Sequence, residues 1–317
     1  MSFERSRAGG GAAVLLMAIL ATGCASGPES RRDYGDLEQP VELAEISFYP
    51  QERYQCGPAA LATLLESSGI RTSPEALTPQ VYLPERKGSL QVELLAATRA
   101  AGRIPYPIDG TMAAVTAELL TGRPVLVLQN LGTGWYPRWH YAVIVGVNPD
   151  TNDVILRSGL TRRHVTAVDT FVRTWERGEY WGFVALSPGE LPALVDQGRY
   201  FRAVADVEAT GHYQAAMAGW QAALGIWPES QTAALGVANA AHALGDYPAA
   251  ESSYRSLLAS DPTNLSARNN LAFALAGQGR GDEALAEIRA VLELVAEDDR
   301  LRPEFEASYR ELVAATE

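Results

Sequence analysis

Two residues in the first half of the chain have the types that thiol chemistry requires, a cysteine and a histidine. Cys56 opens an apolar stretch in which Pro58, with no further breaker before Gly69, predicts a helix that begins at the cysteine. A thiol at this end of a helix lies beside unpaired N–H groups and the positive end of the helix dipole, which favour the thiolate. We therefore expect Cys56 to act as a nucleophile. The ordinary alternative is a small buried cysteine in a helix cap.

The candidate base is His140, which opens a strongly apolar run that reads as a strand. A histidine in this position is ordinarily a solvated or core-edge residue. The chain has only 4 histidines, however. His164 lies in a basic run, and His212 and His242 lie in helical repeats. His140 is therefore the histidine best placed to serve the thiol.

The segments around these two residues carry a family resemblance. Gln51-x4-Cys56-Gly-Pro-Ala-Ala-Leu-Ala, followed by His140-Tyr-Ala-Val-Ile-Val-Gly, resembles the bacteriocin-processing, double-glycine-leader peptidases of the papain-like superfamily. The likeness covers about residues 44–187 and implies a papain-like cysteine peptidase. It implies that Cys56 is the nucleophile, His140 the general base and Gln51 the side-chain donor of the oxyanion hole. Gln51 stands five residues before the cysteine, where the related peptidases usually have six, so Gln55 is the alternative donor.

The residue that orients His140 is the weakest part of the resemblance. Asp150 and Asp153 lie in a turn cluster that predicts a hairpin. At roughly 3.3 Å per residue, this tip is over about 20 Å from His140, so neither carboxylate can reach it. The position of the carboxylate in the related peptidases falls on Ser158 of the returning strand. A serine is a weaker orienting group than Asp or Asn.

The first part of the chain reads as a mixed domain, which we place at residues 41–192. The apolar patterns predict helices from 56 to about 69, over 90–101 and over 112–120, and strands over 42–49, 124–129, 140–147, 154–157 and 180–186. Helices come first and an antiparallel sheet follows. This order predicts an α+β fold in which a thiol on a helix can face a base on a strand.

From residue 197 the chain is Ala-rich and repeats every 34 residues. Glycines, alanines and large apolar residues recur at this spacing: Gly211, Gly245, Gly279; Ala216, Ala250, Ala284; Trp220, Tyr254, Ile288. The period predicts an all-α tetratricopeptide solenoid with three repeats at 197–230, 231–264 and 265–298, closed by a capping helix within 299–317. A generic helical bundle does not predict a fixed period. Such arrays bind a peptide or a protein partner on their concave face, and we expect residues 197–317 to fold alone.

The N-terminus reads as an export signal. Two arginines precede an apolar run at 12–21 that is about half as long as a membrane span, and Ala-Thr-Gly-Cys24 follows. This pattern resembles a bacterial lipoprotein signal. It implies a signal peptide at 1–23, lipidation of Cys24, a polar tether at 24–40 and, because Ala25 follows, an outer-membrane lipoprotein facing the periplasm. A secretory signal with an incidental cysteine is the alternative.

Composition narrows the function further. The net charge of −12 does not suit nucleic acid, and no motif calls for a cofactor or a metal. The chain has 2 cysteines, so lipidation of Cys24 leaves Cys56 without a disulfide partner. We expect a lipid-anchored cysteine peptidase that acts on peptide or protein substrates, with a protein-binding helical array. The alternatives are a non-catalytic peptide-binding or assembly protein that keeps the fold, and acyl or amide transfer by the same residues.

Overall fold

A computed structural model describes residues 33–50 and 55–316 of the chain. Three predictions fall outside these residues: the signal peptide at 1–23, Cys24 as the lipidation site, and Gln51 as the oxyanion donor. Only the last part of the predicted tether is described. None of the described helices is both long enough and apolar enough to span a membrane.

The first part of the structure contains both helices and strands, with most of the helices before most of the strands. Its elements are β1 (Val41–Glu42), α1 (Cys56–Ser67), α2 (Pro74–Val81), a 3₁₀ turn (Pro84–Arg86), α3 (Gln91–Ala100), β2 (Ile104–Pro107), α4 (Met112–Leu120), β3 (Val125–Asn130), β4 (Trp139–Asn148), β5 (Asp153–Ser158), β6 (Thr161–Ala167), α5 (Val168–Glu176) and β7 (Gly182–Leu186). The three predicted helices are confirmed as α1, α3 and α4, and four of the five predicted strands as β3, β4, β5 and β7. Helices α2 and α5 and strands β2 and β6 were not predicted.

The strands form one antiparallel sheet in the order β2-β7-β3-β4-β5-β6, with β1 paired to β4. Helix α1 packs on one face, against Tyr141, Val143 and Val145 of β4. Helices α4 and α5 pack on the other face, where Ala142 and Ile144 of the same strand are buried. The α+β prediction is thus confirmed, and the central strand β4 carries the candidate base.

The strand predicted over residues 42–49 is wrong, because pairing ends after Glu42. Three carbonyl groups of the following segment accept hydrogen bonds from the buried guanidinium of Arg157: those of Leu43, Ala44 and Ile46. One side chain therefore satisfies backbone groups that a strand would have paired with its neighbour. The segment is held against the sheet as a turn.

The second part of the structure is entirely helical. Its helices are α6 (Gln197–Glu208), α7 (Tyr213–Ile226), α8 (Gln231–Ala243), α9 (Tyr247–Ser260), α10 (Leu265–Gly277), α11 (Gly281–Leu294) and α12 (Arg302–Thr316). The helices form the pairs α6–α7, α8–α9 and α10–α11, and the turns within these pairs contain Gly211, Gly245 and Gly279. All three glycines have φ between 76° and 82°, a conformation that glycine adopts without strain. The repeated alanines are fully buried where the helices pack closely. The tetratricopeptide prediction is confirmed.

The hydrophobic core does not divide at residue 197. Tyr200 and Val204 of α6 and Trp220 of α7 belong to the same buried cluster as Ile104 and Tyr106 of strand β2. The Tyr106 hydroxyl also accepts a hydrogen bond from Asp196 N. A separate cluster joins α8 to α12. The first helical pair is therefore packed onto the edge of the sheet.

Candidate active site

Cys56 is the first residue of α1 and is half-buried. Gln55, the N-cap residue, makes no side-chain hydrogen bond to the helix, so its side chain does not occupy the N–H groups of the first turn. The backbone N–H groups of Tyr141, Gly57 and Cys56 lie near enough to the thiol to lower its pKa. These donors could also hold a developing oxyanion.

The first turn of α1 packs tightly against a residue that the sequence did not single out, Ser89. A Cβ atom added at Gly57 would lie 2.2 Å from Ser89 Oγ, so only glycine fits here. The Tyr141 hydroxyl donates to the Ser89 carbonyl oxygen at 3.2 Å. Ser89 Oγ is buried and has no hydrogen-bond partner among the described residues. The glycine directly after Cys56 was the only sequence signal for this close approach.

His140 is the second residue of β4 and lies opposite Gln129 of β3. Its Nε2 is 2.8 Å from Ser158 Oγ, at the end of β5. The hairpin thus brings together the two residues that the sequence predicted to meet. If Nδ1 is to accept a proton from the thiol, Nε2 must carry the hydrogen and donate it to the serine.

Cys56 lies beside the residue that follows His140. The backbone N–H of Tyr141 lowers the pKa of the Cys56 thiol, so the thiol lies near the backbone of the residue that follows His140. Within residues 33–50 and 55–316, the hydrogen bond of the His140 ring goes to Ser158, and none joins it to the sulfur. Catalytic hydrogen bonds of this kind often tighten only when a substrate is bound.

Burial moves both titrating groups towards their neutral forms. It raises the pKa of the Cys56 thiol, with a smaller opposing effect from the three N–H groups. Burial also lowers the pKa of His140 to about 4, helped by the positive charges of His164 and Arg138. The expectation that the helix N-terminus makes Cys56 a thiolate is therefore wrong for this structure, because desolvation outweighs the N–H groups. At neutral pH the pair is a thiol and an uncharged imidazole.

The remaining predicted site residues are placed only in part. Gln51 and Cys24 lie outside the described residues, so their roles stay predictions. Gln55, the alternative donor, is half-buried directly before the thiol. No cluster of three or more metal-binding side chains occurs in the part of the chain that the structure describes.

Two family models match the chain. The model of the Peptidase C39-like family matches residues 43–181, which contain Cys56, His140 and Ser158. The tetratricopeptide repeat model matches residues 241–302. The chain therefore contains a C39-like peptidase domain followed by tetratricopeptide repeats. No curated protein matches the chain.

Several solved structures are similar to parts of the chain. A putative C39-like peptidase from Bacillus anthracis is 15% identical, covering 47% of this chain and 98% of that one, with a TM-score of 0.38. The peptidase domain of Streptococcus ComA, a bifunctional ABC transporter of a quorum-sensing pathway, is 19% identical over 45% of this chain and 98% of that one, with a TM-score of 0.37. The Yersinia enterocolitica type III secretion translocator chaperone SycD is 19% identical over 38% of this chain and 86% of that one, with a TM-score of 0.35. The domain assignment rests on the family models.

Proposed function

We propose that this protein is a cysteine peptidase that cleaves peptide or protein amide bonds through Cys56 and His140. The observation that supports the proposal is that the thiol at the start of α1 feels the backbone N–H of Tyr141, the residue directly after His140, while the His140 ring bonds Ser158. The C39-like family match supports the same chemistry.

The neutral pair favours a general-base mechanism. His140 removes the thiol proton as the sulfur attacks the substrate carbonyl, and then protonates the leaving amine. Ser158 holds the ring by accepting from Nε2–H. The N–H of Cys56 and the side chain of Gln51, or of Gln55, stabilise the oxyanion, each worth about 3 kcal/mol. Water then releases the acyl group from the sulfur, whereas an amine at this step would give transfer instead of hydrolysis.

The export signal supports a lipid-anchored location for this enzyme. In the proposal, Cys24 carries the lipid, the polar segment at 24–40 tethers the domain, and the enzyme faces the periplasm from the outer membrane. The tetratricopeptide array binds the substrate or a protein partner on its concave face.

A second function has its own supporting observation. The two charged neighbours that lower the pKa of His140 are basic side chains, His164 and Arg138, and the residue at its Nε2 is a serine. Among residues 33–50 and 55–316, no carboxylate is recorded at the ring to stabilise the imidazolium, and a site of this kind suits a peptide-binding protein that has lost turnover.

A peptide probe with a thiol-reactive electrophile separates the two functions. We expect it to label Cys56 in the native protein at neutral pH, and labelling to fall sharply in a His140→Ala variant, because the base assists the attack. Cys56→Ser controls for labelling elsewhere. Equal labelling of the native and His140→Ala proteins would favour the peptide-binding function.

A further inference from the structure

Five large apolar side chains are exposed at the end of the sheet that carries His140. We call them the aromatic rim: Leu131, Trp135, Tyr136, Trp139 and Leu160. Trp135 is 90% exposed, Tyr136 78% and Leu160 78%. A group of this kind on a protein surface usually marks a binding site. The peptidase mechanism makes no use of it.

The loop between β3 and β4, which carries most of the rim, is closed by hydrogen bonds. Asn130 Oδ1 accepts from the backbone N–H groups of Gly132 and Arg138, both at 2.9 Å. The Asn130 carbonyl accepts from the guanidinium of Arg177 at 3.0 Å. A Cβ atom at Gly132 would lie 2.2 Å from the carbonyl oxygen of Tyr136, so the backbone is folded tightly on itself. The loop therefore presents its aromatic side chains outwards on an ordered support.

The aromatic rim is continuous with the candidate active site. Trp139 directly precedes His140 in β4, and Leu160 follows Ser158 by two residues in the turn after β5. Both strands that supply the site thus run into the rim. A peptide whose reacting bond lies at Cys56 would pass beside it.

Several arginines lie at this end of the sheet, although the whole chain has a net charge of −12 and the exposed Glu176 and Glu179 flank Arg177 here. Arg138 lies in the loop itself, and its charge acts on His140. Arg162 of the edge strand β6 is also exposed. An acidic peptide would therefore be attracted to the rim.

We propose that the aromatic rim is a substrate subsite for an extended, acidic peptide segment that carries a large apolar side chain. Tryptophan and tyrosine provide rigid apolar area for such a side chain. The proposal rests on the proposed function, because Cys56 fixes where the peptide lies.

A membrane is the less favoured occupant of the rim. The Tyr34 hydroxyl donates to Asn152 Oδ1, so the described chain enters the fold at the tip of the β4–β5 hairpin. His140 and the rim lie at the opposite end of β4. The first described residues therefore lie on the far side of the domain from the rim.

The test uses the full chain with Cys56→Ala, so that bound peptides are not cleaved. A random peptide display library is selected on this protein and on the same protein with Trp135→Ala and Tyr136→Ala. The matched control is the Cys56→Ala protein with the rim intact and with Leu294→Ala, which removes another exposed apolar side chain, on α11. We expect selected peptides to combine Phe, Trp or Leu with Asp or Glu. We expect their Kd to rise by about tenfold in the rim variant and by less than about twofold in the control.

Three results would overturn the proposal: no peptide selected, no apolar and acidic preference, or equal affinity for the rim variant and the control. If the rim variant loses binding to phosphatidylglycerol vesicles but keeps its affinity for the peptides, the rim is a membrane-binding surface. Unchanged melting temperatures show that the variants are folded. Peptide binding that depends on the rim, in a native protein that cleaves nothing, would refute the peptidase function and leave the rim as a peptide-binding surface.

Discussion

Replacing Ser158 by Asp is the sharpest perturbation of the His140 ring. In the native protein Ser158 Oγ lies 2.8 Å from Nε2 and offers a neutral acceptor, worth about 1 kcal/mol. A carboxylate in its place offers a charged bond, worth about 1.5–3 kcal/mol with the imidazolium. The positive charges of Arg138 and His164 help to offset the cost of burying the carboxylate. The gain of about 0.5–2 kcal/mol corresponds to proton binding by the ring that is stronger by about twofold to thirtyfold.

The assay is an NMR titration of the His140 ring in the native, Ser158→Asp and Ser158→Asn proteins. The native pKa, about 4, is expected to rise in Ser158→Asp only, because Asn has a similar size but no charge. Turnover is expected to rise with it or to extend over a wider pH range, whereas Ser158→Ala should lower the rate less than about tenfold. An unchanged or lower pKa in Ser158→Asp, or an equal rise in Ser158→Asn, would refute the placement of Ser158 at the ring.

Three further predictions concern stability and location. His140 has a pKa of about 4 in the folded protein and about 6.5 in the unfolded chain, so the unfolded chain binds more protons between these pH values. Urea titrations should therefore show that the free energy of unfolding falls by up to about 3 kcal/mol as the pH is lowered from 6.5 to 4. An equal loss in His140→Gln would contradict this. Residues 197–317 should fold as a helical unit. A fragment of residues 231–317 should be nearly as stable, because the helices that it lacks, α6 and α7, pack mainly on β2. A circular dichroism spectrum that shows this shorter fragment largely unfolded would refute the prediction. Cys24→Ala should move the protein to the soluble fraction, and a variant that stays on membranes in high salt would exclude the lipid anchor.

Periodic patterns are what made most of the fold predictable. The 34-residue spacing placed the repeats, and the turn cluster after β4 predicted the hairpin that joins His140 to Ser158. Helix α5 has buried Val168, Phe171 and Trp175 at helical spacing, so its pattern was present in the sequence although we did not predict it. Strand β6 had no such pattern, because it is an exposed edge strand rich in polar residues.

Interactions between distant residues could not be predicted from local patterns. The guanidinium of Arg157 donates hydrogen bonds to the segment after Glu42, which therefore does not form the strand predicted over residues 42–49. The sequence around Arg157 does not show that this arginine is buried. The protonation of Cys56 was likewise mispredicted, since the helix terminus can be read from the sequence but the burial that raises the thiol pKa cannot. The contact of Ser89 with Gly57 depends on how α1 meets the segment before α3.

Peptide hydrolysis by the native protein and by single variants of the reacting pair tests the central claim most directly. The substrates are the acidic peptides selected on the Cys56→Ala chain, followed by mass spectrometry at neutral pH. Cys56 forms the bond to the substrate and His140 moves the proton, so Cys56→Ala and His140→Ala should each remove essentially all turnover. Gln55→Ala should lower it only if this residue is the oxyanion donor. Cleavage that persists at the native rate in Cys56→Ala would contradict the account.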